Sequence, residues 1–218
     1  MTPPKFSVRN LIAEYKKRRT EIKNRLLEFR PLHKGRDEEI FRELCFCILT
    51  ANANALHCDK AIRELEAKGL LLKGSASAIK PALRGRVRFH NKKAEFIACA
   101  RRLFKKGKGI DIKGRLDFGD VFALRDWLVE NIKGYGYKEA SHFLRNIGLG
   151  KEIAILDRHI LKNLKQYGVI GKVPISIGSK KAYTNIEDRM REFSKRVGIP
   201  LEEMDLLFWS IETGFVFK

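Results

Sequence analysis

The chain has 218 residues, 44% of them apolar, with a formal net charge of +19 at pH 7 and a pI near 10.0. This length fits one large domain or two small lobes, and the apolar share excludes a disordered chain. Charge of this sign points to a polyanionic partner, nucleic acid ahead of a membrane surface, because basic side chains release counterions from a phosphate backbone; diffuse basic charge of the ribosome-associated kind is the competing explanation.

Helical periodicity runs through almost every long segment. Val8 to Glu28 places Leu11, Ile12, Tyr15, Ile22 and Leu26 on one side, and Phe29-Arg-Pro31 ends that helix, since proline disfavours a helical residue before it. Asp37 is the expected N-cap of a helix through Phe41, Leu44 and Ile48. Within it Cys45 and Cys47 read as buried, reduced thiols. The four cysteines, Cys45, Cys47, Cys58 and Cys99, include no Cys-x-x-Cys pair and no tight cluster, so neither a zinc ribbon nor an iron–sulfur loop is expected. Thr50-Ala-Asn52-Ala-Asn54 is a polar break before a helix through His57, Ile62 and Leu65, which Gly69 stops.

Further helices are predicted at Ser75–Leu83, Lys92–Lys105, Val121–Ile132, Tyr137–Ile147, Arg158–Tyr167, Tyr183–Val197 and Leu201–Thr213. The β-rich runs are short, Ile153–Leu156 and Val173–Ile177, and Pro174 argues against a central strand. The fold class is therefore all-α, with the chain crossing between two helical lobes and a helix-hairpin-helix corner expected where Gly134 and Gly136 separate two of the helices. Residues 36–133 form an inner lobe leading into the hairpin and residues 1–35 plus 137–218 the second, within one unit, 1–218. No apolar run is long enough to span a bilayer, and Met1-Thr-Pro-Pro-Lys-Phe6 opens no secretory pattern, so a cytoplasmic protein is expected.

The stretch Ile132-Lys-Gly134-Tyr-Gly136-Tyr-Lys138 carries the sharpest chemical signal. Glycines at such a turn allow backbone angles closed to other residues and leave amides bare, and bare amides at a helix N-terminus attract phosphate. An ordinary corner of a helical bundle is the plainer alternative. Lys138 follows the turn at the mouth of the second helix. It is a phosphate contact or, if neutral, a nucleophile able to form an imine with a sugar carbon. Lys133, Arg145 and Lys151 are near enough in sequence to disfavour its proton. Asp157, nineteen positions later, fits an N-cap. A carboxylate held there keeps its charge and can stabilise positive charge developing on a sugar ring.

The tail Trp209-Ser-Ile-Glu-Thr-Gly214-Phe-Val-Phe217-Lys218 is apolar where frayed ends are polar, so it is expected to pack inward. Trp209 or Phe217 would stack on an extruded base. A tail packed for stability alone is the other reading.

Ile132 to Asp157, with Ala154-Ile-Leu-Asp157-Arg-His159, resembles the helix-hairpin-helix DNA glycosylase superfamily, which implies an all-α fold of two helical lobes with a helix-hairpin-helix motif and a DNA-binding cleft between them. Phe41 to Asn52, Arg88-Phe-His-Asn-Lys-Lys-Ala-Glu95 and Trp209 to Lys218 are similar to its archaeal-type 8-oxoguanine DNA glycosylase/lyase branch. The resemblance implies a bifunctional base-excision repair enzyme that removes 8-oxoguanine from duplex DNA and cuts the strand by β-elimination. Lys138 would form the imine and Asp157 would assist departure of the base. It implies Lys218, Trp209 and Phe217 as base-recognition residues: oxidation at C8 turns guanine N7 from an acceptor into a donor, so a carbonyl or carboxylate of the tail could accept from it, with Lys218 meeting the C8 oxygen. Gly134, Gly136, Arg88, Lys92 and Lys93 would meet the DNA backbone, and Asn52 or Asn54 the orphaned base. The absent cysteine cluster separates the chain from the endonuclease-III-like branch. No cofactor or metal is required, although hairpin carbonyls from Lys133 to Gly136 suit a structural monovalent cation. The implied state is a prokaryotic, DNA-associated monomer. The competing functions are a glycosylase for another lesion and a non-enzymatic DNA-binding module.

Overall fold

The computed structural model describes residues 6–218; Met1 to Lys5, where the non-secretory opening was read, lie outside the described residues. The described chain forms helices α1 (Val8–Phe29), α2 (Asp37–Thr50), α3 (Ala55–Ala67), α4 (Leu70–Lys73), α5 (Ala76–Leu83), α6 (His90–Phe104), α7 (Val121–Asn131), α8 (Tyr137–Asn146), α9 (Arg158–Gln166), α10 (Lys180–Val197) and α11 (Leu201–Thr213). A 3-10 turn, Leu32–Lys34, precedes α2. The only strands among the described residues are β1 (Lys105–Lys106) and β2 (Gly109–Ile110), an antiparallel pair around a tight turn. No helix among the described residues is long and apolar enough to cross a membrane.

The chain divides into two compact units, residues 31–147 and residues 6–30 plus 148–218. The boundaries differ from those read in the sequence, because α8 belongs with the first unit, where it packs on α2 and α7. Periodicity finds helices but not their partners.

In the 31–147 unit α2 is the central element, flanked by α3, α6 and α8. A helix covered on several sides must be apolar nearly all round. Accordingly Ile40, Phe41, Leu44, Cys45, Phe46, Cys47, Ile48 and Leu49 are all buried. Each fully buried side chain of the Leu, Ile or Phe class contributes about 1.5–3 kcal/mol. Asp37 is not the cap of α2. Arg36 holds the N-cap position, and its amide donates to Glu39 Oε2 at 3.0 Å. Asp37 Oδ1 instead accepts from the amides of Ile112 (3.1 Å) and Lys113 (2.9 Å), fastening the connector after β2.

In the other unit α1 and α11 pack together, and α9 and α10 also pack on α11. Buried Tyr15 donates its hydroxyl to Glu203 Oε2 at 2.6 Å, and burial followed by this carboxylate pushes the phenol up to about 12. Ile153–Leu156 is buried but forms no strand. Side chains of α10 replace the missing ladder. Glu187 accepts from the Ala154 amide at 2.7 Å. The Tyr183 hydroxyl accepts from the Leu156 amide and donates to the Ala154 carbonyl at 2.8 Å.

Candidate nucleic-acid interface

The hairpin between α7 and α8 is built as the sequence suggests, with one difference. Gly134 has φ +89, and a Cβ there would come within 2.5 Å of Phe96 Cδ2, so both backbone and space require glycine. Gly136 has φ −112, open to any residue, and its amide is not bare: it donates to Glu139 Oε2 at 3.3 Å. The Tyr135 amide likewise turns inward, to Ile132 O. Helix geometry leaves the first-turn amides of α8 as the groups without intrahelical acceptors.

The two helices hold the hairpin firmly. Leu128, Ile132, Ala140, Phe143, Leu144 and Ile147 are buried between them and their neighbours. Buried Arg125 of α7 reaches Ser141 of α8 at 3.3 Å, and the Tyr137 hydroxyl donates to Asp126 at 2.9 Å. Tyr135 donates to the Leu44 carbonyl at 2.9 Å, which pins the turn to α2.

Lys138 stands in the first turn of α8, its side chain 23% exposed and its Nζ 3.6 Å from Glu139 Oε1. Glu139 therefore serves both the hairpin amide and the amine. Of the cations named from the sequence, Lys133 and Lys151 are exposed and Arg145 is buried. The cation whose field overlaps that of Lys138 is Lys93 on α6. Lys93 is 3% exposed and is not the surface phosphate contact read in the sequence: its Nζ donates to Leu49 O at 2.7 Å and Ala51 O at 2.6 Å. Cysteine is a poor rival nucleophile here. Burial pushes Cys45 far up and Cys58 up to about 11, the latter despite the opposing charges of Lys93 and Lys138.

The structure separates the two asparagines that the sequence left open. Asn54 is the N-cap of α3, its Oδ1 accepting from Leu56 N (3.0 Å) and His57 N (3.2 Å). Asn52 is exposed at φ +52, at the tip of the turn. Arg88 and Lys92 are exposed, flanking the start of α6. Between them Phe89 is 58% exposed at φ +56, with the Arg88 guanidinium 5.5 Å from its ring centre. Sequence reasoning passed over Phe89 because an aromatic beside an amphipathic helix looks like core; only its exposure marks it.

Asp157, Trp209, Phe217 and Lys218 belong to the other unit. Asp157 is the N-cap of α9, its Oδ1 accepting from His159 N at 2.8 Å and Ile160 N at 2.9 Å. Glu212 ties α9 to the end of α11, through Lys162 at 2.6 Å and Asn163 at 3.4 Å. Beyond α11 the tail folds back on itself. Val216 is buried, and Trp209 packs edge-on against Phe215 at 5.1 Å and tilted against Phe217 at 6.2 Å. Phe217 and Lys218 are half-buried. Among the described residues, no group of three or more His, Cys, Asp or Glu side chains is placed to hold a metal ion.

These features define a helix-hairpin-helix protein with a lysine at the mouth of the second hairpin helix. A family model described as 8-oxoguanine DNA glycosylase matches residues 22–199, and the chain belongs to that family. It is 45% identical over 200 residues to the 8-oxoguanine DNA glycosylase/AP lyase of Korarchaeum cryptofilum, covering 90% of each chain. It is 42% identical over 206 residues to the enzyme of the same name from Fusobacterium nucleatum, covering 94% of each. The crystal structure of Methanocaldococcus jannaschii 8-oxoguanine glycosylase/lyase in complex with a 15mer DNA containing 8-oxoguanine superposes with a TM-score of 0.84 at 37% identity, over 95% of this chain and 99% of that one.

Proposed function

We propose that this protein is a DNA N-glycosylase and abasic-site lyase that excises 8-oxoguanine from duplex DNA and cleaves the strand through an imine on Lys138. The observation that carries the reading is a half-buried primary amine in the first turn of α8, directly after a hairpin that tolerates only glycine at position 134. Family membership supplies the substrate class.

In the proposed reaction the extruded nucleotide presents C1′ to the neutral Nζ. The N–C1′ bond forms as the glycosidic bond breaks, and the base leaves with the electron pair and takes up the proton shed by the attacking amine. The Asp157 carboxylate offsets the positive charge on the sugar. The ring oxygen then leaves C1′ with the bond's electron pair and takes a proton from water, giving an iminium. That cation acidifies C2′–H, and loss of this proton expels the 3′ phosphate with its electron pair. The chemistry calls for no organic cofactor; a monovalent cation on hairpin carbonyls between Lys133 and Gly136 would be structural. Asn52, rather than Asn54, is assigned to the orphaned base, because Asn54 is committed to capping α3. Trp209, Phe217 and Lys218 are assigned to recognition of the flipped base, and Gly134, Arg88 and Lys92 to the backbone of the DNA.

Borohydride trapping tests this. Lys138→Gln should abolish the covalent protein–DNA adduct and strand cleavage while leaving affinity for lesion DNA within about threefold. An undiminished adduct would remove Lys138 from the mechanism, and unchanged activities of every kind would favour a binding module.

A further inference from the structure

Lys93 is the one lysine of the 31–147 unit recorded as buried, and its position is specific. A helix ends with carbonyls that have no intrahelical donor, and a cation there also meets the negative end of the helix dipole. Lys93 supplies both at the end of α2, through Leu49 O and Ala51 O. Neighbouring groups complete the knot: Cys58 Sγ also donates to Leu49 O, Thr50 Oγ1 to Cys47 O, and the Ala53 amide to Thr50 O. The chain is thus fastened up to Ala51, and the next residue is Asn52, exposed at φ +52. At its other end Lys93 belongs to the first turn of α6, where its own amide donates to Phe89 O. One side chain therefore joins the Asn52 turn to the exposed Arg88–Phe89 segment.

We propose that Lys93 is a positioning residue of the excision reaction: its buried ammonium clamps the end of α2 so that Asn52 is presented to the duplex in a single conformation. The inference rests on the glycosylase reading above. Burial disfavours the charge of Lys93, Glu139 supports it, and Lys138 and Arg88 oppose it. A charge kept under those conditions is held by the two carbonyls, which would lose their donor if it were removed.

The test uses two substrates. Excision from an 8-oxoguanine:cytosine duplex needs the gap left by the flipped base to be filled; cleavage of a single-stranded abasic site does not. Lys93→Met keeps the stem and removes the donors. It should slow single-turnover duplex excision roughly 10- to 100-fold, the range for a misplaced contact group, while single-strand cleavage stays within about twofold. In an Asn52→Ala background, Lys93→Met should cost no more than about a further twofold, because both changes disable the same turn. Should Lys93→Met not fold, Lys93→Gln is judged by the same criteria. Equal loss on both substrates would mean that Lys93 serves the fold or the Lys138 amine, and independent losses that it does not act through Asn52; either overturns the proposal. Failure of the glycosylase reading looks different: the unaltered protein would give neither excision nor a borohydride adduct.

Discussion

Asp157 caps a helix and, in the proposed reaction, offsets charge on the sugar; one pair of substitutions separates the two. Its Oδ1 caps α9, a helix of only nine residues, by accepting from the amides of His159 and Ile160. Losing such a cap costs about 0.5–2 kcal/mol, and losing a carboxylate at a helix N-terminus about 0.3–1 kcal/mol. Asp157→Ala forfeits both and should lower stability by about 1–2.5 kcal/mol. In a chain of this size that is a fall in Tm of roughly 2–10 °C. Asp157→Asn keeps an acceptor oxygen in the same place and loses only the charge, so its stability should lie within about 1 kcal/mol of the parent. The proposed chemistry ranks the variants differently. The charge that offsets the sugar cation is gone from both, and removal of one preorganised electrostatic group costs about 10²–10³ in rate. Both should therefore fall to a similar low single-turnover excision rate, although only the alanine variant is appreciably less stable. The assays are thermal unfolding and single-turnover release of 8-oxoguanine from duplex DNA. Excision by Asp157→Asn within about threefold of the parent would reduce Asp157 to a helix cap.

Gly134→Ala should destabilise by about 2–4 kcal/mol in urea unfolding, from positive-φ strain plus the clash with Phe96, whereas Gly136→Ala should be nearly neutral. Tyr15→Phe should cost about 1.5–3 kcal/mol, because Glu203 loses a buried donor. The phenol's raised pKa gives this contribution a pH signature. Between the ordinary tyrosine value of about 10 and the folded value of about 12 the native state holds more protons than the unfolded one. The contribution is thus complete below about pH 10 and is lost as pH rises through 12, so Tyr15→Phe should flatten the alkaline decline in stability. Removing Lys218 should compress the ratio of excision rates for 8-oxoguanine over guanine while imine trapping on abasic DNA persists; an unchanged ratio would leave the tail a packing element.

Much of this was legible in the chain itself. Local rules act over a few residues, so periodicity placed the long helices, the Gly-x-Gly spacing marked the hairpin, and Asp157 could be read as a cap from its neighbours. Even there, local signals misled where a competing partner lay far away: Asp37 has the chemistry of a cap, but the amides of Ile112 and Lys113 claim it. Likewise Ile153–Leu156 has a strand's composition, yet Tyr183 and Glu187 satisfy its backbone in place of a neighbouring strand.

The remaining assignments depended on which residues meet across long separations. Lys93 looked like one more surface cation until its amine was found on carbonyls more than forty positions earlier. Asn52 and Asn54 are equivalent as sequence; a hydrogen bond to the start of α3 claims one, and a left-handed backbone exposes the other. Composition, spacing and caps are fixed by covalent neighbours and so can be read from the chain. Burial and the partner of a charged group are fixed by packing, which the chain acquires only on folding.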